Sequence, residues 1–330
     1  MESVRLGRTG LMVSRLCMGT MTFGTQADEA ASFAILDAYA EKGGNFIDTA
    51  NVYPLGAAAA DRGGTERIVG RWLQGKRDRF IVATKAASPM GPLAWEGGTS
   101  RKHLLHAIDA SLERLGTDYV DLYQLHRDDP DTPLDETLEA LDTIVRTGRA
   151  RYVGVSNWPA WRLARALGRA EALHVARPVT VQPRYNLLFR QPERDLVPLC
   201  REDGIGMLCY NPLAGGLLTG KHRFNDGPDA ATRFAAGKAS AMYRDRYWHE
   251  QEFDAVGTLL ATASEANVPP VRMAIAWVLA QPGVTCAIVG ASRPDQMPEV
   301  MASSDTRLDP ALLTKLDEIT RVFRMGDASR

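Results

Sequence analysis

Short, nearly continuous apolar runs alternate along this chain with segments whose apolar residues recur every three to four positions. The runs are "RLCMG" (15–19), "NFIDTA" (45–50), "FIVATKA" (80–86), "VDLYQLH" (120–126), "RYVGVSN" (151–157), "VTVQPRYN" (179–186), "GIGMLCYNPL" (204–213) and "TCAIVGAS" (285–292). Runs of this kind suit parallel strands covered on both faces. The segments between them predict helices. "DEAASFAILDAYAEKG" places Phe33, Leu36, Asp37 and Ala40 at helical intervals and stops at Gly43 and Gly44. "SRKHLLHAIDASLERLG" opens on Ser100 as an N-cap and ends at Gly116. "PLDETLEALDTIVRTG" begins at Pro133 with acids near its start, where the helix dipole favours them. Further helices are expected near 65–74, 159–172, 191–203, 253–267 and 310–322, with an extra one over 270–281.

Eight strand-then-helix units with right-handed crossovers predict an α/β fold, a (β/α)8 TIM barrel, taken as a single domain over residues 1–330. The opening "SVRLGRTGLMVSRL" reads as a hairpin turning at Arg8-Thr9-Gly10 and closing the bottom of the barrel. A Rossmann fold competes, but no GxGxxG follows any strand. The irregular stretch 214–250, after the seventh strand, is too long for a plain connection and is expected to be a functional loop. The chain shows no internal repeat, and "GAAAADRGG" (56–64) is its one low-complexity tract.

Composition narrows the partners. With 39 basic and 40 acidic residues the net charge is -1, so no concentrated basic character points to nucleic acid. Hydrophobic content of 45% and charged content of 24% are those of a globular chain. No stretch approaches the roughly 20 apolar residues of a membrane span, and "MESVRLGRTG" has no apolar signal core. The cysteines Cys17, Cys200, Cys209 and Cys286 lack CxxC spacing and read as buried free thiols, so a reducing cytoplasm is the default location. His103 and His106 share a helix face at a metal-compatible spacing, but no carboxylate or cysteine partner is evident, and no metal site is expected.

Chemistry concentrates at strand ends, where barrel active sites gather. Asp48 and Tyr53 lie in "NFIDTANVY", Lys85 closes "FIVATK" and His126 closes "VDLYQLH". A free phenol, with pKa about 10, is a poor acid near neutrality. A nearby Lys85 ammonium, held charged by Asp48, is expected to make Tyr53 more acidic, while His126 orients a substrate oxygen. Any one of the four alone reads as an ordinary cap or solvated residue. Together, in order and at strand ends, they form a proton-donating kit for carbonyl reduction.

On these four residues, and over nearly its whole length from "RLGRTGLMVSRLCMGTMTFG" to "GASRPDQ", the chain resembles the aldo-keto reductases, in their bacterial-type or potassium-channel-β-subunit-like branch. The resemblance implies NADPH-dependent carbonyl reduction without metal, Tyr53 as proton donor, and a cofactor-covering loop after the seventh strand. It assigns the nicotinamide amide to Ser156, Asn157 and Gln182, and the ring to Tyr210, for which simple core packing competes. Further cofactor contacts are expected from Gly19, Thr20, Asn211, Pro212, Leu213, Ala214, Gly215, Lys221 and Arg233. Glycines 215, 216 and 220 permit close backbone approach to phosphates. Gly290, Ser292 and Arg293 stand at a helix start, an anion site that the resemblance gives to the adenosine 2′-phosphate, with Gln296 and Glu299 on the adenosine. Where the family often has Glu-Asn, this chain has Glu299-Val300.

The substrate pocket is expected to be aromatic-lined, from Met21, Phe23, Met90, Trp95, Arg127 and Trp158. Trp95 and Trp158 read equally well as helix–sheet packing, and Arg127 either recognises an acid or hydroxyl group or sits in a rim salt bridge. The leading function is reduction of an aldehyde or ketone, reversible on an alcohol or sugar. A nucleotide-binding regulatory subunit with vestigial activity is the alternative. A barrel isomerase or lyase is weaker, because no two-carboxylate or metal pair is evident. Substrate identity, direction and oligomeric state are not written in the sequence.

Overall fold

The expected hairpin and eight barrel strands all form. The structure, a computed structural model, describes residues 1–56, 58–230, 232–235 and 239–327. Strands β1 (Ser3–Arg5) and β2 (Met12–Ser14) pair antiparallel with Val4 opposite Val13. The barrel strands are β3 (Leu16–Gly19), β4 (Phe46–Asp48), β5 (Ile81–Ala86), β6 (Val120–Leu125), β7 (Ala150–Ser156), β8 (Thr180–Gln182), β9 (Gly206–Tyr210) and β10 (Val284–Val289). They run parallel in sequence order, and β10 closes on β3.

Helices cover the barrel: α1 (Glu29–Glu41), α2 (Gly64–Leu73), α3 (Arg101–Leu115), α4 (Leu134–Arg146), α5 (Ala160–Leu173), α6 (Leu196–Asp203), α7 (Ser240–Tyr247), α8 (Glu250–Glu265), α9 (Pro270–Ala280), α10 (Met297–Ala302) and α11 (Pro310–Ile319). Ser100 caps α3 as expected, its hydroxyl accepting the His103 N–H, and Gly116 ends it in the left-handed conformation. No helix among the described residues is long and apolar enough to cross a membrane.

Two-residue periodicity divides the barrel interior into an apolar floor and a polar mouth. Phe46, Ile81, Ala83, Leu122, Leu208, Cys286 and Ile288 pack into one buried cluster. Two residues further toward the C-terminal ends, the same faces carry Asp48, Lys85, Gln124 and Tyr210. Leu6 and Val13 of the hairpin join the floor cluster, fully buried, each worth about 1.5–3 kcal/mol of burial. The Arg8 N–H donates to the Gly204 carbonyl at 2.9 Å, tying the hairpin across the bottom. Gly7 makes this approach possible: its φ is +57°, and a Cβ there would lie 2.6 Å from the Gly204 oxygen.

Several elements differ from expectation. The sixth strand, expected over 179–186, stops at Gln182, because Pro183 has no N–H for the ladder; only an isolated bridge joins Arg184 to Tyr210. The stretch 214–250 is not irregular throughout. It holds a 3-10 turn (Ala214–Thr219) and α7, while residues 231 and 236–238 lie outside the described residues, as does residue 57 of the low-complexity tract. Helix α7 has no amphipathic period to reveal it: in "SAMYRDRY" only Tyr243 and Tyr247 are buried, four residues apart.

Candidate active site

Strand ends bring Asp48, Lys85, Tyr53 and His126 into one cluster. Lys85 is fully buried and Asp48 nearly so. The Lys85 ammonium pairs with Asp48 Oδ1 and donates to the Thr49 carbonyl at 2.8 Å. The other carboxylate oxygen of Asp48 accepts from Gln124 Nε2 at 3.0 Å and from Gln182 Nε2 at 2.9 Å. The ammonium lies 5.1 Å from the centre of the Tyr53 ring, and the Tyr53 and His126 rings meet edge-on at 5.7 Å.

Burial pulls the Lys85 ammonium down, but the Asp48 carboxylate outweighs it, helped by Tyr53, so Lys85 stays charged. The more acidic phenol expected from the sequence is not what the site makes. Burial pushes Tyr53 up, Lys85 draws it only part of the way back, and the net direction is upward. At neutral pH the phenol therefore holds its proton, the form a proton donor needs. Burial, then the charges of Lys85 and Arg127, hold His126 well below its ordinary value, so its ring is neutral. His126 Nδ1 is buried without a hydrogen-bond partner among the described residues.

The next strands add amides and hydroxyls. Ser156 Oγ donates to the Gln182 carbonyl at 2.8 Å, and Asn157 Nδ2 donates to Ser156 Oγ at 3.0 Å and to the His126 carbonyl at 3.1 Å. The Tyr210 hydroxyl donates to Asn157 Oδ1 at 2.9 Å. Thr20 Oγ1 donates to the Asp48 carbonyl at 3.0 Å, joining the β3 rim to the same network. These residues line a cavity of about 780 Å³ that continues to Lys221, Arg233, Gly290, Ser292, Gln296 and Glu299.

That far end is built differently. Gly215 and Gly216 have φ of +71° and +104°, and the Gly215 N–H donates to Asn211 Oδ1 at 2.7 Å. Tyr247 of α7 holds Asn211, accepting from its Nδ2 at 2.9 Å. Burial, then Arg233 and Arg293, lower the Lys221 ammonium, so cations crowd here without full neutralisation. Gln296 Oε1 accepts the Ser292 N–H at 2.9 Å, and Arg272 grips Glu299 through two contacts of 2.9 and 3.0 Å.

Of the residues singled out in the sequence, Gly19, Thr20, Met21, Arg127, Pro212 and Leu213 also line the cavity. Others do not. Phe23 and Trp158 are packed into the main core, and Ala214 is fully buried. Met90 is off the cavity wall; Trp95 turns toward α3, with Lys102 at 4.3 Å and His106 at 5.3 Å. Arg293 also lies off the wall, two-thirds exposed (66%) and paired with Asp295 at 3.1 Å. Arg127 is in no salt bridge among the described residues; it donates to Ser88 Oγ at 3.3 Å.

The sequence reading missed Gln124, Arg62, Tyr243 and Arg246. Gln124 left a signal: a polar residue inside the apolar run "VDLYQLH", on the same strand face as His126. Arg62 and Arg246 left none: Arg62 reaches the mouth from a connection, and Arg246 from α7, a helix without an amphipathic period.

Comparison with known proteins agrees with this layout. The model of the Aldo/keto reductase family matches residues 15–321. YrpG, an uncharacterised oxidoreductase of Bacillus subtilis, is 40% identical over 327 residues, covering 97% of this chain and 96% of that protein. A probable voltage-gated potassium channel subunit beta of Arabidopsis thaliana is 36% identical over 323 residues, again 97% and 96% of the two chains. The L-glyceraldehyde 3-phosphate reductase of Escherichia coli O157:H7 is 33% identical over 319 residues, 94% of this chain and 90% of that one. Matched from its first barrel strand to beyond its last, the chain belongs to the aldo/keto reductase family of oxidoreductases.

Proposed function

We propose that this protein reduces an aldehyde or ketone to an alcohol with NADPH, with Tyr53 as the proton donor. One observation carries the reading: a single cavity joins a buried, protonated Tyr53, backed by the Asp48–Lys85 pair, to the crowded cations Lys221 and Arg233. The residues fit a dinucleotide phosphate. The cavity volume suits a cofactor with a small substrate, and the cations Lys221 and Arg233 beside glycine-permitted backbone suit a polyanion. Ser156, Asn157, Gln182 and Tyr210 would hold its nicotinamide end; Lys221 and Arg233 would hold its phosphates. When bound, the cofactor supplies the hydride.

The chain's own groups account for the proton. Tyr53 gives its phenolic proton to the carbonyl oxygen as negative charge develops there. Lys85 then stabilises the phenolate that remains, and Asp48 keeps Lys85 charged. Gln124 and Gln182 fix Asp48 so that the pair does not rearrange during turnover. The neutral His126 ring orients the same carbonyl oxygen. Running backward, the phenolate takes the proton from an alcohol.

The test is loss of NADPH absorbance with a reactive aromatic aldehyde, wild type beside Tyr53→Phe. The variant is expected to bind NADPH and to lose about 10²–10⁴-fold in turnover. Unchanged turnover removes Tyr53 from its role. The pH profile sharpens this. Tyr53 is raised above its ordinary 10.0 and His126 is lowered below 6.5, so reduction should be level between those values. It should fall only on the alkaline side, as the phenol ionises. NADPH binding with no turnover on any carbonyl compound would favour a nucleotide-binding regulatory subunit, a reading supported by the relative named as a probable potassium channel subunit beta.

A further inference from the structure

We propose that the barrel mouth carries a second anion subsite, built by Arg62 and Arg127, which recognises an oxyanion group on the carbonyl substrate itself. This inference rests on the reductase reading and adds the substrate class to it.

Arg62 arrives from the connection after β4, and Arg127 from the connection after β6. Both reach the connection after β5, which lies between them in the barrel order. Arg62 Nη1 donates to the Pro89 carbonyl at 2.7 Å, and Arg127 Nη2 donates to Ser88 Oγ at 3.3 Å. Their anchors are consecutive residues, with Cα atoms about 3.8 Å apart. Two guanidinium groups are thus anchored to neighbouring residues at the rim of one cavity.

Neither forms an ion pair with a carboxylate among the described residues, and the two acids that follow Arg127 are engaged elsewhere. Asp128 pairs with Arg162 at 3.1 Å, and Asp129 accepts from the Thr132 hydroxyl at 2.7 Å. Each guanidinium has five N–H donors and makes one hydrogen bond here, so most of its fork is unspent. Two guanidiniums without carboxylate partners on one rim suit an oxyanion, which each can bind through charge-assisted bonds.

Position separates this subsite from the phosphates of the cofactor. In a ring of eight strands, β5 stands opposite β9, whose following loop carries Lys221 and Arg233. Tyr53 and His126 lie with Arg62 and Arg127 on the β4–β6 side, lining the same cavity. Arg127 directly follows His126, and both line the cavity into which a substrate oxygen oriented by His126 would enter. Met21, Val52 and Leu55 complete this part of the wall and suit the carbon body of such a substrate.

The test compares three aldehydes of one shape: para-carboxybenzaldehyde, para-formylphenyl phosphate and the neutral para-tolualdehyde. In wild type, kcat/KM for an anionic aldehyde should exceed that for the neutral one by about tenfold or more, chiefly through KM. The advantage should shrink as salt is added. Arg62→Gln and Arg127→Gln should each cut the anionic-to-neutral ratio by about tenfold, and Arg127→Lys should restore part of it. A ratio lost for only one of the two anions supports the subsite and names its group, carboxylate or phosphate. A wild-type ratio near one, or a ratio unmoved in both Gln variants, overturns the subsite and leaves the reductase reading intact. If no aldehyde turns over, the reductase reading fails, and calorimetric titration with terephthalate decides the subsite alone. Binding in wild type that is lost in the variants supports it; absent or unchanged binding overturns it.

Discussion

The buried layer under Tyr53 and the β9–β10 side of the barrel mouth treat charge in opposite ways. Beneath Tyr53, below the rim that carries Arg62 and Arg127, charge is settled inside the protein: Lys85 against Asp48, and Asp48 again against Gln124 and Gln182. On the β9–β10 side, Lys221 and Arg233 share the cavity wall, Arg293 stands outside it paired with Asp295, and the backbone turns through glycines. The contrast teaches what each side is for. Groups that act on a reacting bond are most effective when their charges and directions are fixed before substrate arrives. A site for a polyanion gains from the reverse, leaving like charges unsatisfied until the ligand neutralises them.

Removing the anchor of the settled side should have the largest effect. Asp48→Ala strands the Lys85 ammonium in a fully buried position, which costs about 3–5 kcal/mol when one partner of such a pair is lost. Chemical denaturation should show that loss, alongside near-complete loss of carbonyl reduction. A variant as stable as wild type would mean that Lys85 finds another partner or sheds its proton, and the contrast between the two sides would collapse.

The same operation on the other side should give the opposite stability result. Lys221 is lowered by burial and by Arg233 and Arg293, so Lys221→Ala removes repulsion along with the charge. Without ligand, stability should stay within about 0.5 kcal/mol of wild type or rise slightly. The Kd for NADPH, followed by fluorescence titration, should rise about tenfold, the worth of one charge-assisted bond. A stability loss like that of Asp48→Ala would show that both sides are structural.

The same difference decides what was legible in the sequence. The settled side is built on strands, where two-residue alternation fixes direction. Asp48 above Phe46 and Lys85 above Ala83 could be placed at the mouth from their spacing alone. Gln124 obeys the same rule above Leu122 and was passed over, because an amide inside an apolar run carries no charge to draw notice. Residues on connections had no such guide. Phe23 and Trp158, expected in the pocket, turn into the core, while Arg62 turns toward the cavity, as does Arg246 of the aperiodic α7. The direction of Tyr53's titration was misjudged for a related reason: spacing reveals a neighbouring ammonium but not the depth of burial that outweighs it. The hairpin was legible because Leu6 and Val13 flank an evident turn, and the barrel floor needs two large apolar residues to close it.

The smallest effect should come from Arg293, and it bears on which nucleotide the open side prefers. Its guanidinium is exposed, paired with Asp295 at 3.1 Å, and outside the cavity wall. An exposed pair of this kind is worth about 0–1 kcal/mol, so Arg293→Ala should leave stability unchanged. To meet a 2′-phosphate, the side chain must leave Asp295 and swing toward Ser292, exchanging one carboxylate for a more highly charged phosphate. The net gain is therefore modest. Arg293→Ala should raise the Kd for NADPH severalfold, and that loss should fade at high salt, where an exposed contact is screened. The Kd for NADH, which has no 2′-phosphate, should not move. Equal changes for both nucleotides would remove Arg293 from cofactor discrimination and place the preference on Lys221 and Arg233, cations on the β9–β10 part of the cavity wall.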